Sequence, residues 1–93
     1  MRILVDHRER PARVPELLAL EPNVQLVDAV LSCGDYAFGT RIGIERKTAE
    51  DFARSLVDGR LFPQMGAMRR RYLRPLLLAA LSIPATGTGR STP

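Results

Sequence analysis

At Thr48 the spacing of the apolar residues changes period, and few folds accommodate such a change. In "RIGIERK", residues 41 to 47, Ile42 and Ile44 share one face, while Gly43, Glu45 and Lys47 share the other. A period of two belongs to a strand with one face on a core. From there Ala49, Phe52, Ala53, Leu56 and Val57 follow i, i+3, i+4, i+7, i+8, one apolar helical stripe. Thr48, with Asp51 three residues on, is an N-terminal capping pattern, and Asp58-Gly59 closes the helix.

The whole chain, at 93 residues, has room for one small domain. "RILVD", from Arg2 to Asp6, reads as a strand, and "HRERPARV" as a loop. Pro15 suits a first helical turn, so a short helix is expected to about Leu20. Val24 to Leu31 reads as a second strand, although its periodicity alone also allows a helix. "SCGDYAFGTRIGIERK" then reads as a turn at Gly34 and a hairpin with a two-residue turn at Gly39–Thr40. A helix is expected over Leu61 to Leu73, with Leu61, Met65, Met68 and Tyr72 on one face. "RPLLLAAL" lacks alternation, which predicts a strand covered on both faces. The order β-α-β-β-β-α-α-β is α/β in class, a mixed sheet flanked by helices. The tail, residues 82–93, is small, polar and rich in glycine and proline, and is expected to be disordered.

Charge narrows the partners. A net charge of +4 favours a polyanion, with nucleic acid first. The longest apolar run, Pro75 to Leu81, is too short to span a bilayer, and the N-terminus shows no apolar signal region. The expected setting is therefore the prokaryotic cytoplasm, at the nucleoid, or a nucleus. The one cysteine, Cys33, reads as a small core residue, and His7 as a polar loop residue. Of the fourteen basic residues, thirteen are arginine and one is Lys47. In such a chain, a position that wanted only positive charge would have become arginine.

Three carboxylates lie at strand ends: Asp6, Asp35 and Glu45. Strand ends are where α/β sheets assemble sites. Alternation puts Glu45 beside Lys47 with Arg46 turned away, and Gly43 on the same face leaves room for a ligand. Carboxylates around a hard cation, with a compact ammonium alongside, suit magnesium-dependent hydrolysis of a phosphodiester. The ammonium can shift its pKa as a guanidinium cannot, a physical reason for lysine at this position.

The spacing is more specific than a D…ExK pattern. "GD" (Gly34-Asp35), "ERK" (Glu45-Arg46-Lys47) and Asp51 resemble the GDXnERKXXXD signature of the XPF-type structure-specific endonucleases, within the PD-(D/E)xK nucleases. "ILVDHRER" resembles the family's VDxRE segment, "GDYAF" its GDY stretch, and "SLVDGRLFPQ" its SIxDGRxxxQ segment. The resemblance spans residues 2 to 81 and implies a restriction-endonuclease-like mixed sheet. The implied activity is Mg2+- or Mn2+-dependent cleavage of branched DNA (flaps, forks and junctions) in repair or recombination. Asp35 and Glu45 would hold the metal, with Asp6 contributing directly or through water. Asp35, Glu45, Arg46, Lys47 and Asp51 would form the catalytic set. Arg8, Arg60, Gln64, Arg69, Arg70 and Arg71 would contact DNA. A homodimer or a heterodimer with a related subunit is implied, and no membrane partner.

Each of these residues also has a plainer reading. Asp51 is explained by the Thr-x-x-Asp cap. Arg46 could brace against Asp51 or Asp58, and Arg8 and Glu9 could form a solvated turn. Arg60 and Gln64 could be a helix-start ion pair and a surface amide. Arg69 to Arg71 could be a solvated helix end suited to the helix dipole. Relatives continue past "RPLLLAAL" with more helix and strand, so this chain reads as a shortened domain with an open edge and an exposed apolar face. A non-catalytic DNA-binding or dimerisation remnant is the alternative to an active enzyme.

Overall fold

The computed structural model describes residues 1–80; the expected disordered tail lies outside the described residues. Strand β1 is Arg2–Asp6, followed by a 3-10 turn at His7–Glu9, helix α1 at Arg13–Ala19 and strand β2 at Gln25–Ala29. Strands β3 (Tyr36–Phe38) and β4 (Ile42–Thr48) come next, then helices α2 (Ala49–Val57) and α3 (Leu61–Arg71) and strand β5 (Arg74–Ala80). All five strands form one sheet in the order β2-β1-β3-β4-β5. The outer pairs β1/β2 and β4/β5 are parallel, bridged by helices, and the inner pairs are antiparallel. This is the expected mixed α/β sheet.

Alternation sorts the core into two layers. Ile3, Val5 and Tyr36 face α1 and pack with Val14, Leu18 and Ile44. Ala37, Met68 and Tyr72 form the other layer, against α3, with Leu4, Cys33 and Met65. Glu45 and Lys47 alternate with Ile44, so they lie on the α3 face, and Arg46 lies on the α1 face. Cys33 packs in the core as expected; its thiol lies 3.7 Å from the Ala67 carbonyl.

Several local expectations are corrected. Helix α1 starts two residues before Pro15, whose missing N–H falls in the first turn, where no intrahelical partner exists. Strand β2 stops at Ala29, and the Leu31 amide donates to the Asp6 carboxylate at 2.8 Å instead of to the sheet. Phe38 pairs with Ile42, so Gly39, Thr40 and Arg41 make a three-residue connection, with Gly39 at φ +62°. Helix α3 ends at Arg71 rather than Leu73.

The face that α2 buries is also different. Thr48 Oγ1 caps the helix by accepting from the Asp51 amide at 3.1 Å. The helix leaves β4 without a connecting loop, so the strand end sets its rotation. Ser55 is fully buried, while Ala53, Leu56 and Val57 are exposed. Burying Ser55 is tolerated because its hydroxyl donates to the Asp51 carbonyl at 2.7 Å. Strand β5 is not covered on both faces. It is an edge strand, half-buried on the α3 side at Pro75 and Leu77, while Leu76 and Leu78 are 50% and 47% exposed. Helix α1 covers only the β1–β2 end, which leaves an apolar recess between Ile3, Phe38, Ile44 and Leu78. Among the described residues β5 thus has one unpaired edge and a partly exposed apolar face.

Candidate active site

Asp35 is the hub. It sits between the end of β1 and the middle of β4, and three hydrogen bonds fix it. Its carbonyl accepts from the Asp6 amide at 2.9 Å, and its own amide donates to the Ile44 carbonyl at 2.7 Å. Its carboxylate Oδ2 accepts from the Arg46 amide at 2.7 Å. Gly34, just before it, adopts φ +86°, and a Cβ there would press on Met68 at 3.2 Å. Both the left-handed backbone and the tight approach to α3 call for glycine at this position.

Glu45 projects from β4 on the same face, with Lys47 one alternation further along. Neither side chain makes a hydrogen bond or an ion pair within the described residues. Burial, and then the charge of Asp35, push the Glu45 carboxyl up from its ordinary range, against the opposing charges of Lys47 and Arg8. Asp35 is pushed up by burial and by the charge of Glu9, opposed by the bond from the Arg46 amide. Two half-buried carboxylates with unspent oxygens are thus held against their own repulsion.

Asp6 differs from this pair. It is fully buried, and its oxygens are engaged: Oδ1 accepts from the Leu31 amide, and Oδ2 from the Arg8 amide at 3.1 Å and Arg8 Nε at 2.6 Å. Its bond to Arg8 holds its pKa down at about 2, despite burial. Among the described residues no three His, Cys, Asp or Glu side chains converge as a ligand set, so Asp6 does not complete one with Asp35 and Glu45. Those two alone still fit a hard cation that keeps most of its waters, as Mg2+ does. Burial and neighbouring negative charge disfavour both as anions, and a nearby positive charge would offset that.

The remaining expected residues are scattered. Arg8 is largely exposed and anchored by Asp6, close enough to Asp35 and Glu45 for their charges to reinforce its own. Arg46 does not pair with Asp51 or Asp58; its Nε donates to Glu9 Oε1 at 2.7 Å. Asp51 pairs with Arg54 at 3.0 Å, one turn along α2, and its amide is the one capped by Thr48. Arg60 pairs with Asp58 at 3.2 Å. The Gln64 Oε1 is buried with no hydrogen-bond partner among the described residues. Arg69 and Arg70 line an open polar recess beside Gly66. Arg71 stacks on the Tyr72 ring, 5.1 Å from its centre. That ring fills the space at Gly43, where a Cβ would overlap it, and its hydroxyl donates to the Cys33 carbonyl at 2.9 Å. Gly43 therefore admits Tyr72 rather than a ligand.

Comparison with known proteins places the chain in a family. The family model described as the ERCC4 domain matches residues 5–82. The chain belongs to this family. It is 40% identical over 78 residues to a protein of Methanocaldococcus jannaschii named as an ATP-dependent RNA helicase, covering 84% of this chain and 9% of that protein. It is 33% identical over 78 residues to the 3'-flap repair endonuclease Xpf of Saccharolobus solfataricus, again 84% of this chain and 33% of that one. A solved structure of XPF from Aeropyrum pernix in complex with DNA superposes with a TM-score of 0.79 at 40% identity, over 84% of this chain and 38% of the other. The chain spans a tenth to two fifths of these relatives. It is an XPF-type nuclease domain in fold, matched over part of its relatives' length.

Within this ERCC4 domain, reading the residues alone missed Glu9 and Tyr36. Glu9 is buried rather than part of a solvated turn. It accepts from Arg46 Nε through both oxygens, at 2.7 and 3.2 Å, and from the Tyr36 hydroxyl at 3.1 Å. One signal was available. Alternation puts the Arg46 side chain on the Ile42–Ile44 face, and a cation entering that layer needs a buried carboxylate.

Proposed function

We propose that this chain is the nuclease core of a divalent-cation-dependent endonuclease that cuts phosphodiester bonds in branched DNA. The observation that carries the reading is the half-buried Asp35–Glu45 pair beside Lys47, with its charge unspent, inside an ERCC4 domain. The names of its relatives support it: one is a 3'-flap repair endonuclease, and another was solved with DNA.

Asp35 and Glu45 would hold the cation, which when bound polarises a phosphoryl oxygen and acidifies a coordinated water. The hydrogen bond from the Arg46 amide fixes the direction of the Asp35 carboxylate before anything binds. Lys47 supplies a compact positive charge on the same face, placed to offset charge that builds on the phosphate during attack. Arg8, tied at Nε by Asp6, leaves its outer nitrogens for a DNA phosphate. Arg69 and Arg70 offer further phosphate contacts along α3.

The test incubates purified protein with a labelled 3'-flap and a linear duplex, with Mg2+ or Mn2+ and with chelator. Cation-dependent cutting of the flap is expected, falling at least about a hundredfold in Lys47→Ala. A folded protein that cuts neither substrate refutes the proposal and favours a non-catalytic DNA-binding role, and one that cuts equally well in chelator refutes the cation dependence.

A further inference from the structure

On the α1 face of the sheet, directly behind the candidate site, three side chains from three separate elements share one buried polar contact. Glu9 comes from the 3-10 turn after β1, Tyr36 from β3 and Arg46 from β4. Glu9 is 6% exposed and Tyr36 3% exposed, so their bonds are made away from water, where an unmet partner is costly. The Glu9 carboxylate ties Arg46 Nε at 2.7 Å and the Tyr36 hydroxyl at 3.1 Å, which spans the sheet from β1 to β4 across β3.

Arg46 is the residue whose backbone amide donates to Asp35 Oδ2 on the other side of the strand. Its side chain is therefore pinned from behind while its peptide aims the Asp35 carboxylate in front. The neighbouring residues are Glu45 and Lys47, so fixing the Arg46 peptide fixes the twist of the strand that presents them. Tyr36 also follows Asp35 directly in sequence, so Glu9 grips both strands that carry the site.

We infer that Glu9 and Tyr36 are positioning residues of the cleavage site, acting through Arg46 to aim the Asp35 carboxylate. This rests on reading Asp35, Glu45 and Lys47 as the site of cleavage. Neither residue touches DNA or cation; both set the geometry of the groups that do.

Glu9→Gln keeps an oxygen that can accept from Arg46 but removes the charge and the second oxygen. Two measurements are made on the folded variant: hydrogen exchange of the Arg46 amide against that of Val5 in β1, and flap cleavage at saturating cation. The Arg46 amide is expected to exchange about tenfold faster relative to Val5. The cleavage kcat is expected to fall roughly tenfold to a hundredfold, with KM for DNA unchanged. An unchanged Arg46 amide overturns the inference, as does an unchanged kcat or a change confined to KM. Wild-type protein that cuts nothing refutes the proposed cleavage, and the amide measurement then decides alone whether Glu9 governs Arg46. If Glu9→Gln does not fold, Tyr36→Phe keeps the ring in the core and deletes only the hydroxyl. It is expected to lower kcat about fivefold through loss of one hydrogen bond to the Glu9 carboxylate, and no change there overturns the role of Tyr36.

Discussion

On the α3 face of β4, Glu45 and Lys47 lie near Asp35 and spend none of their charge on ion pairs among the described residues. On the α1 face, Arg46, the residue between them, is bound by Glu9 at 2.7 Å, and Glu9 in turn by Tyr36. The residue types are nearly the same, carboxylates and cations, but their states are opposite. Behind the strand every charge has its partner, which stabilises the fold. In front, carboxylates are held half-buried against burial and repulsion, with pKa values pushed up. Strain of that kind persists only where the scaffold enforces it, and it is relieved by a ligand of opposite charge.

The contrast breaks most visibly if the two faces are neutralised in turn. Asp35→Asn keeps an oxygen for the Arg46 amide but gives up the charge. Cleavage is expected to fall on the order of 10²–10³-fold, since the cation would be held by one carboxylate instead of two. The melting temperature is expected to hold or rise, because ionised Asp35 opposes folding. A variant that stays active and melts earlier would make the front of β4 structural too.

Arg46→Met reverses the pattern. It leaves Glu9 buried without its cation, and a loss of about 2–4 kcal/mol in urea denaturation is expected. Adding Glu9→Leu should recover part of that stability, since removing both charges costs less than removing one, while the Tyr36 hydroxyl is left without its acceptor. If the double variant is as unstable as the single one, the pair is not what binds β1 to β4.

How much of this was legible beforehand depends on the range of the interaction concerned. The change of period at Thr48, the cap on Asp51 and the packing face of α3 are local, and the structure has them where the residues imply. The GD and ERK motifs placed Asp35, Glu45 and Lys47 together, because hairpin pairing and alternation fix their relation. Partners far apart in the chain were not legible. Arg46 was expected to find a carboxylate nearby, at Asp51 or Asp58, and found Glu9, 37 positions back. Gly43 read as space for a ligand, and Tyr72 fills it from the end of α3. Strand β5 looks central by composition, but its edge position follows from sheet order, which no local pattern encodes.

Asp6 extends the comparison to acid. Its folded pKa of about 2 lies below the ordinary 3.8, so it stabilises the fold at and above the ordinary value. That contribution is lost as pH falls from about 4 toward 2. Because Arg8 is largely exposed, the gain at neutral pH is discounted to about 1–2 kcal/mol. Thermal melts of wild type and Asp6→Asn should therefore differ at pH 7 and converge near pH 2. A constant gap across that range would mean the Leu31 and Arg8 amides, rather than the charge, carry the effect.

The smallest expected effect is at Asp51, the one acidic residue whose motif reading and cap reading compete. In the structure its amide takes the Thr48 cap and its carboxylate meets Arg54 at 3.0 Å on an exposed helix surface. Neither role involves Asp35 or Glu45. Replacing it with alanine removes a surface pair and a favourable charge in the first turn of α2, a cost of about 0.5 kcal/mol. The cap itself survives, because it uses the Asp51 amide. Asp51→Ala is therefore expected to cut within about twofold of wild type, whereas Thr48→Ala loses about 1 kcal/mol of stability with the site residues untouched. A large loss of cleavage in Asp51→Ala, at unchanged stability, would move Asp51 from the structural side of the comparison to the functional one.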